Sequence, residues 1–213
     1  MIDESISSIL KEHYQKTIKK YGPTPKGVDW RNDTTANKRH YQMSKLILEC
    51  GKKNSLLDVG CGYGAFYEYL KAKNIYVDYN GIDFVSEMIE EAKKKNSTGK
   101  FFIGNFLDYP ENIEFDYIVC NGILTQKLNI GLLEMELFAK KLIKKIFSMS
   151  KVGCCFNIMS TRCNFFAENL FYKHPSELLI YCLSEITNNV SINHSYGLYE
   201  FTVYLYKNII ENY

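Results

Sequence analysis

The first hydrophobic pattern along the chain is helical. Over residues 2–20, Ile6, Ile9, Leu10, His13 and Tyr14 recur at spacings of three and four, which predicts an amphipathic helix. The run Tyr21-Gly-Pro-Thr-Pro-Lys-Gly27 then predicts a loop. A second helix is expected from a cap at Asp33 or Thr34 to about Cys50, with Tyr41, Leu46 and Ile47 facing inward and Gly51 ending it. From residue 54 the period changes. Short apolar runs predict strands at 55–59, 76–82, 101–103, 115–120 and 152–159. Helical patterns over 65–73, 85–95 and 132–149 separate most of them, and an irregular stretch with Pro110 follows the third strand. This alternation implies an α/β fold with a mostly parallel sheet, right-handed crossovers and helices on both faces. The end departs from it. A helix over 176–186, entered through His174-Pro175, precedes strands at 190–194 and 198–206 that meet around Gly197. The expectation is seven strands, the last two forming an antiparallel hairpin, in one domain: a helical cap over 1–53 and a core over 54–213, with 160–178 as an insertion on the substrate side.

Composition narrows the function classes. The 213 residues are 46% hydrophobic and 23% charged, which is globular, and the net charge of +2 carries no footprint of a nucleic-acid partner. The charge is uneven: residues 1–53 hold 11 Lys/Arg against 6 Asp/Glu, and residues 54–213 hold 15 against 18. A basic first layer suits either an anionic small molecule or a solvated helix face. The lysines at 140, 141, 144, 145 and 151 interleave with Leu142, Ile143 and Ile146, as on a solvated face. The seven cysteines are odd in number and irregular in spacing, and Asp3 and Glu4 stand where a secretory leader would be basic and apolar. Reduced thiols in a cytoplasmic protein are expected, with Cys154 and Cys155 on opposite faces of a strand and no metal site. No apolar run reaches membrane-spanning length.

The first core strand leads into Asp58-Val-Gly60-Cys61-Gly62-Tyr-Gly64-Ala65. A strand-to-helix turn of this kind lets backbone approach a ligand beyond the carboxyl ends of the strands. The glycines alone leave the ligand open, because Gly60-x-Gly62-x-x-Ala65 also fits the relaxed dinucleotide fingerprint. Asp58 argues against a pyrophosphate, which its carboxylate would repel, and suits an ammonium group. The helical preamble and the terminal hairpin are further departures from a dinucleotide domain.

Residues 57–64 resemble the first motif of the class I S-adenosylmethionine-dependent methyltransferases, which are Rossmann-like. Asn80-Gly81-Ile82-Asp83-Phe84-Val85-Ser86-Glu87-Met88 resembles the end of that family's second strand. The resemblance implies S-adenosylmethionine as cofactor and S-adenosylhomocysteine as product. It puts the glycine loop with Cys61 beside the methionyl part and Asp83 on both ribose hydroxyls, a task for which a carboxylate is suited. Phe84 and Met88 follow in the same cofactor-binding segment. Asn105 stands where the family usually has an acidic residue for the adenine amino group, with Phe106 beside the ring. Asn121 and Gly122 end the fourth strand, facing the transferable methyl. Asn121 is not followed by Pro-Pro-Tyr, which lowers the case for a planar amino acceptor. The resemblance covers about residues 55–160 and says little about the acceptor.

The variable parts give further candidates. Gly27-Val28-Asp29-Trp30, with Arg39 nine residues beyond the tryptophan, resembles a set of small bacterial methyltransferases. Arg39 is expected to fork onto the cofactor carboxylate and Trp30 to close over the site. The aromatic stretch after the fifth strand suits a lid, with Arg162 and Lys173 available to an anionic acceptor. His194 and Tyr196 on the hairpin are the candidate catalytic residues, should a hydroxyl acceptor need a base. The expected activity is methyl transfer to O or N of a small polar metabolite or sugar. The alternatives are an enzyme acting on RNA or protein, and a non-catalytic cofactor-binding partner subunit.

Overall fold

The computed structural model describes residues 2–47 and 54–207; the predicted helix end at Cys50 and Gly51 lies outside them. Helix α1 (Ile2–Tyr21) and a short 3-10 helix (Pro25–Val28) lead to α2 (Asp33–Ser44). The core follows as β1 (Ser55–Val59), α3 (Ala65–Ala72), β2 (Asp78–Asp83), α4 (Ser86–Lys95), β3 (Lys100–Ile103), β4 (Phe115–Cys120), α5 (Leu132–Ser148) and β5 (Ser150–Ser160). It ends with β6 (Tyr172–Lys173), α6 (Pro175–Glu185), β7 (Val190–Asn193) and β8 (Glu200–Tyr206).

The sheet order is β3-β2-β1-β4-β5-β8-β7, parallel up to β5, with β8 antiparallel to both β5 and β7. The strand absent from the expectation is β6. Its two residues pair with Met159 and Ser160 at the carboxyl end of β5, too short a run to leave an alternating pattern.

Strand alternation divides the core into two layers. Leu57, Val59, Ile118, Cys120, Cys154, Phe156 and Ile158 face α5 and α6. Leu56, Tyr117, Val119, Cys155 and Tyr204 face Met43 of α2 and Phe66, Tyr67 and Leu70 of α3. Cys154 and Cys155 therefore point to opposite faces, as a period of two requires. Each fully buried Leu or Ile in these layers contributes about 1.5–3 kcal/mol.

Three local expectations are corrected. Helix α2 is capped by Asn32, whose side chain accepts from the Thr35 amide while Thr35 Oγ1 accepts from the Asn32 amide. Its buried stripe is Ala36, His40 and Met43, so Tyr41 turns outward, 53% exposed. Lys145 does not lie on a solvated face. It is buried, and its Nζ donates to the carbonyls of Leu107 (2.6 Å) and Tyr109 (2.7 Å), so it fastens the loop between β3 and β4 to α5.

Candidate active site

A cleft opens at the carboxyl ends of β1, β2 and β4. Its walls include Asp58, Gly60, Cys61 and Gly62 from the first strand and its loop, Asp83, Phe84 and Met88 from β2 and α4, and Asn121 and Gly122 beyond β4. The N-terminal cap supplies Tyr14, Val28, Trp30 and His40. Gly60 shows why the loop excludes side chains. Its φ is +72°, and a Cβ would sit 2.6 Å from Ile123 Cδ1. Gly62 and Gly64 also have positive φ.

Two carboxyl groups anchor this half. Asp83 accepts from the amide of Gly62 (3.0 Å) through Oδ2 and from that of Val85 (2.9 Å) through Oδ1. It ties the glycine loop to the start of α4 while keeping unused lone pairs for a ligand. Burial pushes its pKa up to about 6, against those amide hydrogen bonds, which lower it. Asp58 is 2% exposed and accepts a 2.5 Å hydrogen bond from the Tyr79 hydroxyl. Burial pushes its pKa up to about 7, the Tyr79 bond opposing the rise. A cation in the cleft would hold both groups ionised.

Beyond β4, Asn121 is buried and neither polar atom of its carboxamide has a hydrogen-bond partner among the described residues. The next residue, Gly122, has φ +95°, and a Cβ there would meet the Trp30 ring at 3.4 Å. Its amide donates to Asn157 Oδ1 (2.7 Å), Asn157 donates to Glu200 Oε1 (3.2 Å), and Arg39 donates to Glu200 Oε2 through Nε (3.0 Å) and Nη2 (2.7 Å). This chain of bonds runs from the cleft floor across β5 and β8 to the cap.

A second recess adjoins the cleft at Gly60, Asp83, Phe84 and Ile123 and extends to Gly104, Asn105, Phe106 and Leu107. Asn105 uses its Oδ1 to accept from the Leu107 amide, and its Nδ2 lies 3.4 Å from Ser7 Oγ. The two recesses together are elongated, with a carboxylate between them at Asp83.

Residues 56–135 match the model of the methyltransferase domain family. A Mycobacterium tuberculosis protein named as a methyltransferase, Rv1506c, is 30% identical over 166 residues, covering 76% of this chain and 98% of that protein. The chain belongs to the class I S-adenosylmethionine-dependent methyltransferases. Its fold is shared with the magnesium protoporphyrin IX methyltransferase of Synechocystis bound to S-adenosylmethionine, at TM-score 0.66 and 12% identity over 95% of this chain and 97% of that one. It is also shared with human N-acetylserotonin methyltransferase bound to S-adenosylmethionine, at TM-score 0.59 and 12% identity over 82% and 52%. S-Adenosylmethionine is the cofactor of this methyltransferase and S-adenosylhomocysteine its product. The cleft fits that ligand chemically, with one buried carboxyl at Asp58 and one half-buried at Asp83 for a molecule bearing an ammonium, a sulfonium and a diol.

Within this methyltransferase, Trp30, Asp58, Gly60, Cys61, Gly62, Asp83, Phe84, Met88, Asn121 and Gly122 line the cleft, and Asn105 and Phe106 line the adjoining recess. Gly64 caps α3 behind the loop. Three expected residues lie elsewhere. Arg39 faces Glu200 and stacks 5.1 Å from the Trp30 ring, outside the cleft lining, because the buried carboxylate captures its guanidinium. His194 is exposed at the end of β7, edge-on to Phe201. Tyr196 donates to Glu200 Oε1 (3.3 Å), and burial together with Glu200 pushes its pKa up, so it has no character as a base. In the insertion, Lys173 is taken by Glu136 (2.9 Å), while Arg162, Phe165 and Phe166 are exposed. The cleft residues that the sequence patterns did not single out are Tyr14, Val28, His40, Tyr63, Phe66 and Ile123. The buried stripe of α2 was the available signal for His40.

Proposed function

We propose that the chain methylates an oxygen or nitrogen of a small polar metabolite or sugar. In this reading Asp83 takes the ribose hydroxyls, Asp58 faces the methionyl ammonium, and the recess at Asn105 and Phe106 takes the adenine. Gly60, Cys61 and Gly62 give backbone room beside the methionyl chain, with Met88 and Phe84 packed beneath. Bound S-adenosylmethionine supplies a sulfonium-activated methyl group that a lone pair displaces in line. Trp30 walls off water at that end, and Gly122 is held in place by Asn157. No base is required when alignment supplies most of the rate.

The observation that carries this reading is Asn121. A buried carboxamide without partners is costly, on the order of 1–3 kcal/mol, and a polar acceptor offering both a donor and an acceptor atom would satisfy it. The cap residues Tyr14, Trp30 and His40 narrow the cleft, which favours a small acceptor over a duplex or a folded protein surface. The exposed Arg162, which follows the carboxyl end of β5, is compatible with an anionic acceptor. The test is S-adenosylhomocysteine release on incubation with fractionated metabolites, RNA and protein extracts in parallel. Turnover with the metabolite fraction is expected, and Asn121→Leu lowers it by about 10–100-fold. Turnover confined to RNA or protein would overturn the proposal.

A further inference from the structure

Away from the methyl-transfer cleft, α5 and α6 border a cavity of about 220 Å³ against β5 and the segment leading into β6. Its floor is apolar, with Ile143 of α5, Ile158 of β5, Phe171 and Leu178 of α6, all buried. Ile158 belongs to the core layer that faces α5 and α6, whereas its neighbour Asn157 accepts from the Gly122 amide at the cleft. The sheet therefore separates the two spaces. Tyr181 lines the cavity, and its hydroxyl is buried with no hydrogen-bond partner among the described residues. Such a group is unfavourable unless something accepts from it. Burial, with Cys182, Glu185 and Glu136 nearby, pushes the Tyr181 pKa up to about 12, so the group is an O–H donor at neutral pH.

The charged groups of the same wall leave one cation over. Glu136 uses both of its oxygens, Oε1 on Lys140 (3.3 Å) and Oε2 on Lys173 (2.9 Å). Glu177 reaches Lys173 only at 3.9 Å and is 68% exposed, so water and salt screen it. Lys140, whose Nζ lies 5.2 Å from the centre of the Tyr181 ring, and the Tyr181 hydroxyl are thus the donors with capacity to spare. Donors beside an apolar floor suit an anion joined to an apolar body, since a carboxylate enters such a space only with partners. An apolar cavity of about 150 Å³ holds benzene, so this one has room for a single ring and a carboxylate. Phe171 offers that ring an aromatic partner. We propose that the cavity is a second ligand site, taking a small aromatic carboxylate. Its ring lies on Ile158, Phe171 and Leu178, and its carboxylate accepts from Tyr181 and Lys140. The site does not depend on the cofactor placement proposed above.

Benzoate is the probe. Titration calorimetry of the full chain, with and without S-adenosylhomocysteine, is expected to show one benzoate site per chain with a Kd of about 0.1–1 mM, the range open to a ligand of this size. Tyr181→Phe, which keeps the ring, and Lys140→Gln should each weaken benzoate by about 5–10-fold, the loss of one charge-assisted bond. Thermal unfolding of both variants reports an intact fold. Benzyl alcohol, which has the ring without the charge, should bind at least about tenfold more weakly. Absence of benzoate binding at up to about 10 mM, affinity unchanged in either variant, or benzyl alcohol binding as tightly as benzoate would overturn the proposal. So would displacement of benzoate by S-adenosylhomocysteine, which would put it in the methyl-transfer cleft.

Discussion

The two walls of the cleft are built in different ways. On the sheet side, Asp58, Gly60, Gly62 and Asp83 lie within 26 residues and hold one another through short-range bonds such as Asp83 to the Gly62 amide. On the cap side, His40 packs among the rings of Trp30, Phe66 and Tyr69, and Arg39, which stacks on Trp30 from outside the cleft, is fixed by Glu200, 161 residues away. The sheet wall is therefore specified by a local motif and the cap wall by tertiary packing.

The largest expected effect tests the cap wall. Glu200 is 1% exposed and bonded to Arg39, Asn157 and Tyr196. Glu200→Ala removes a buried carboxylate and leaves the half-buried Arg39 guanidinium unpaired, which should cost about 3–5 kcal/mol, a fall in Tm of roughly 6–20 °C by calorimetry. A change under about 1 kcal/mol would mean that the cap does not depend on this pair.

Next comes the sheet wall. Asp83→Ala removes the carboxylate proposed for the ribose hydroxyls and unties Gly62, so cofactor affinity should fall by about 100-fold, the worth of two charge-assisted bonds. Affinity unchanged in that variant would move the ribose elsewhere in the cleft.

A smaller effect separates binding from folding through pH. The folded pKa of Asp58 is raised to about 7 and that of Asp83 to about 6, both from 3.8. The folded chain thus keeps protons that the unfolded chain has lost between about pH 4 and 7, so unliganded stability should decline as pH rises through that window. A cationic cofactor favours the ionised carboxyls, so its affinity should rise, by up to about tenfold per pH unit below 7, and then level off. Parallel Tm and calorimetric series at pH 5.5 to 8 check the opposed signs. Stability and affinity moving together would contradict the assignment of Asp58.

The smallest effect is expected at the hairpin. His194 is exposed and outside the cleft, so His194→Ala should leave turnover within about twofold and stability within about 0.5 kcal/mol. A large loss of turnover would bring the hairpin back into the reaction.

This contrast also explains what could be read from the chain. The order of strands and helices, the closing hairpin and the glycine loop were legible because periodicity and turn chemistry are local. Asp83 was legible because its distance from the loop follows from one strand-helix-strand unit. Arg39 was misplaced because choosing between it and His40 requires the rotational phase of α2. That phase is set by Ala36, His40 and Met43 together, and a histidine in such a stripe does not register as apolar. Lys145 was misread for a related reason. Its partners are backbone carbonyls at Leu107 and Tyr109, which leave no side-chain pattern to detect. The capture of Arg39 by Glu200 joins α2 to β8, a pairing of distant segments that no spacing rule encodes.

The central claim is that the joined recesses around Asp83 hold S-adenosylmethionine. Titration calorimetry of the chain with S-adenosylhomocysteine tests it most directly, since the product binds without turnover. The account predicts one site per chain, competed by S-adenosylmethionine and weakened by Asp83→Ala. Absence of binding by a folded chain at ligand concentrations up to about 1 mM, the weak end of specific affinities, would contradict it.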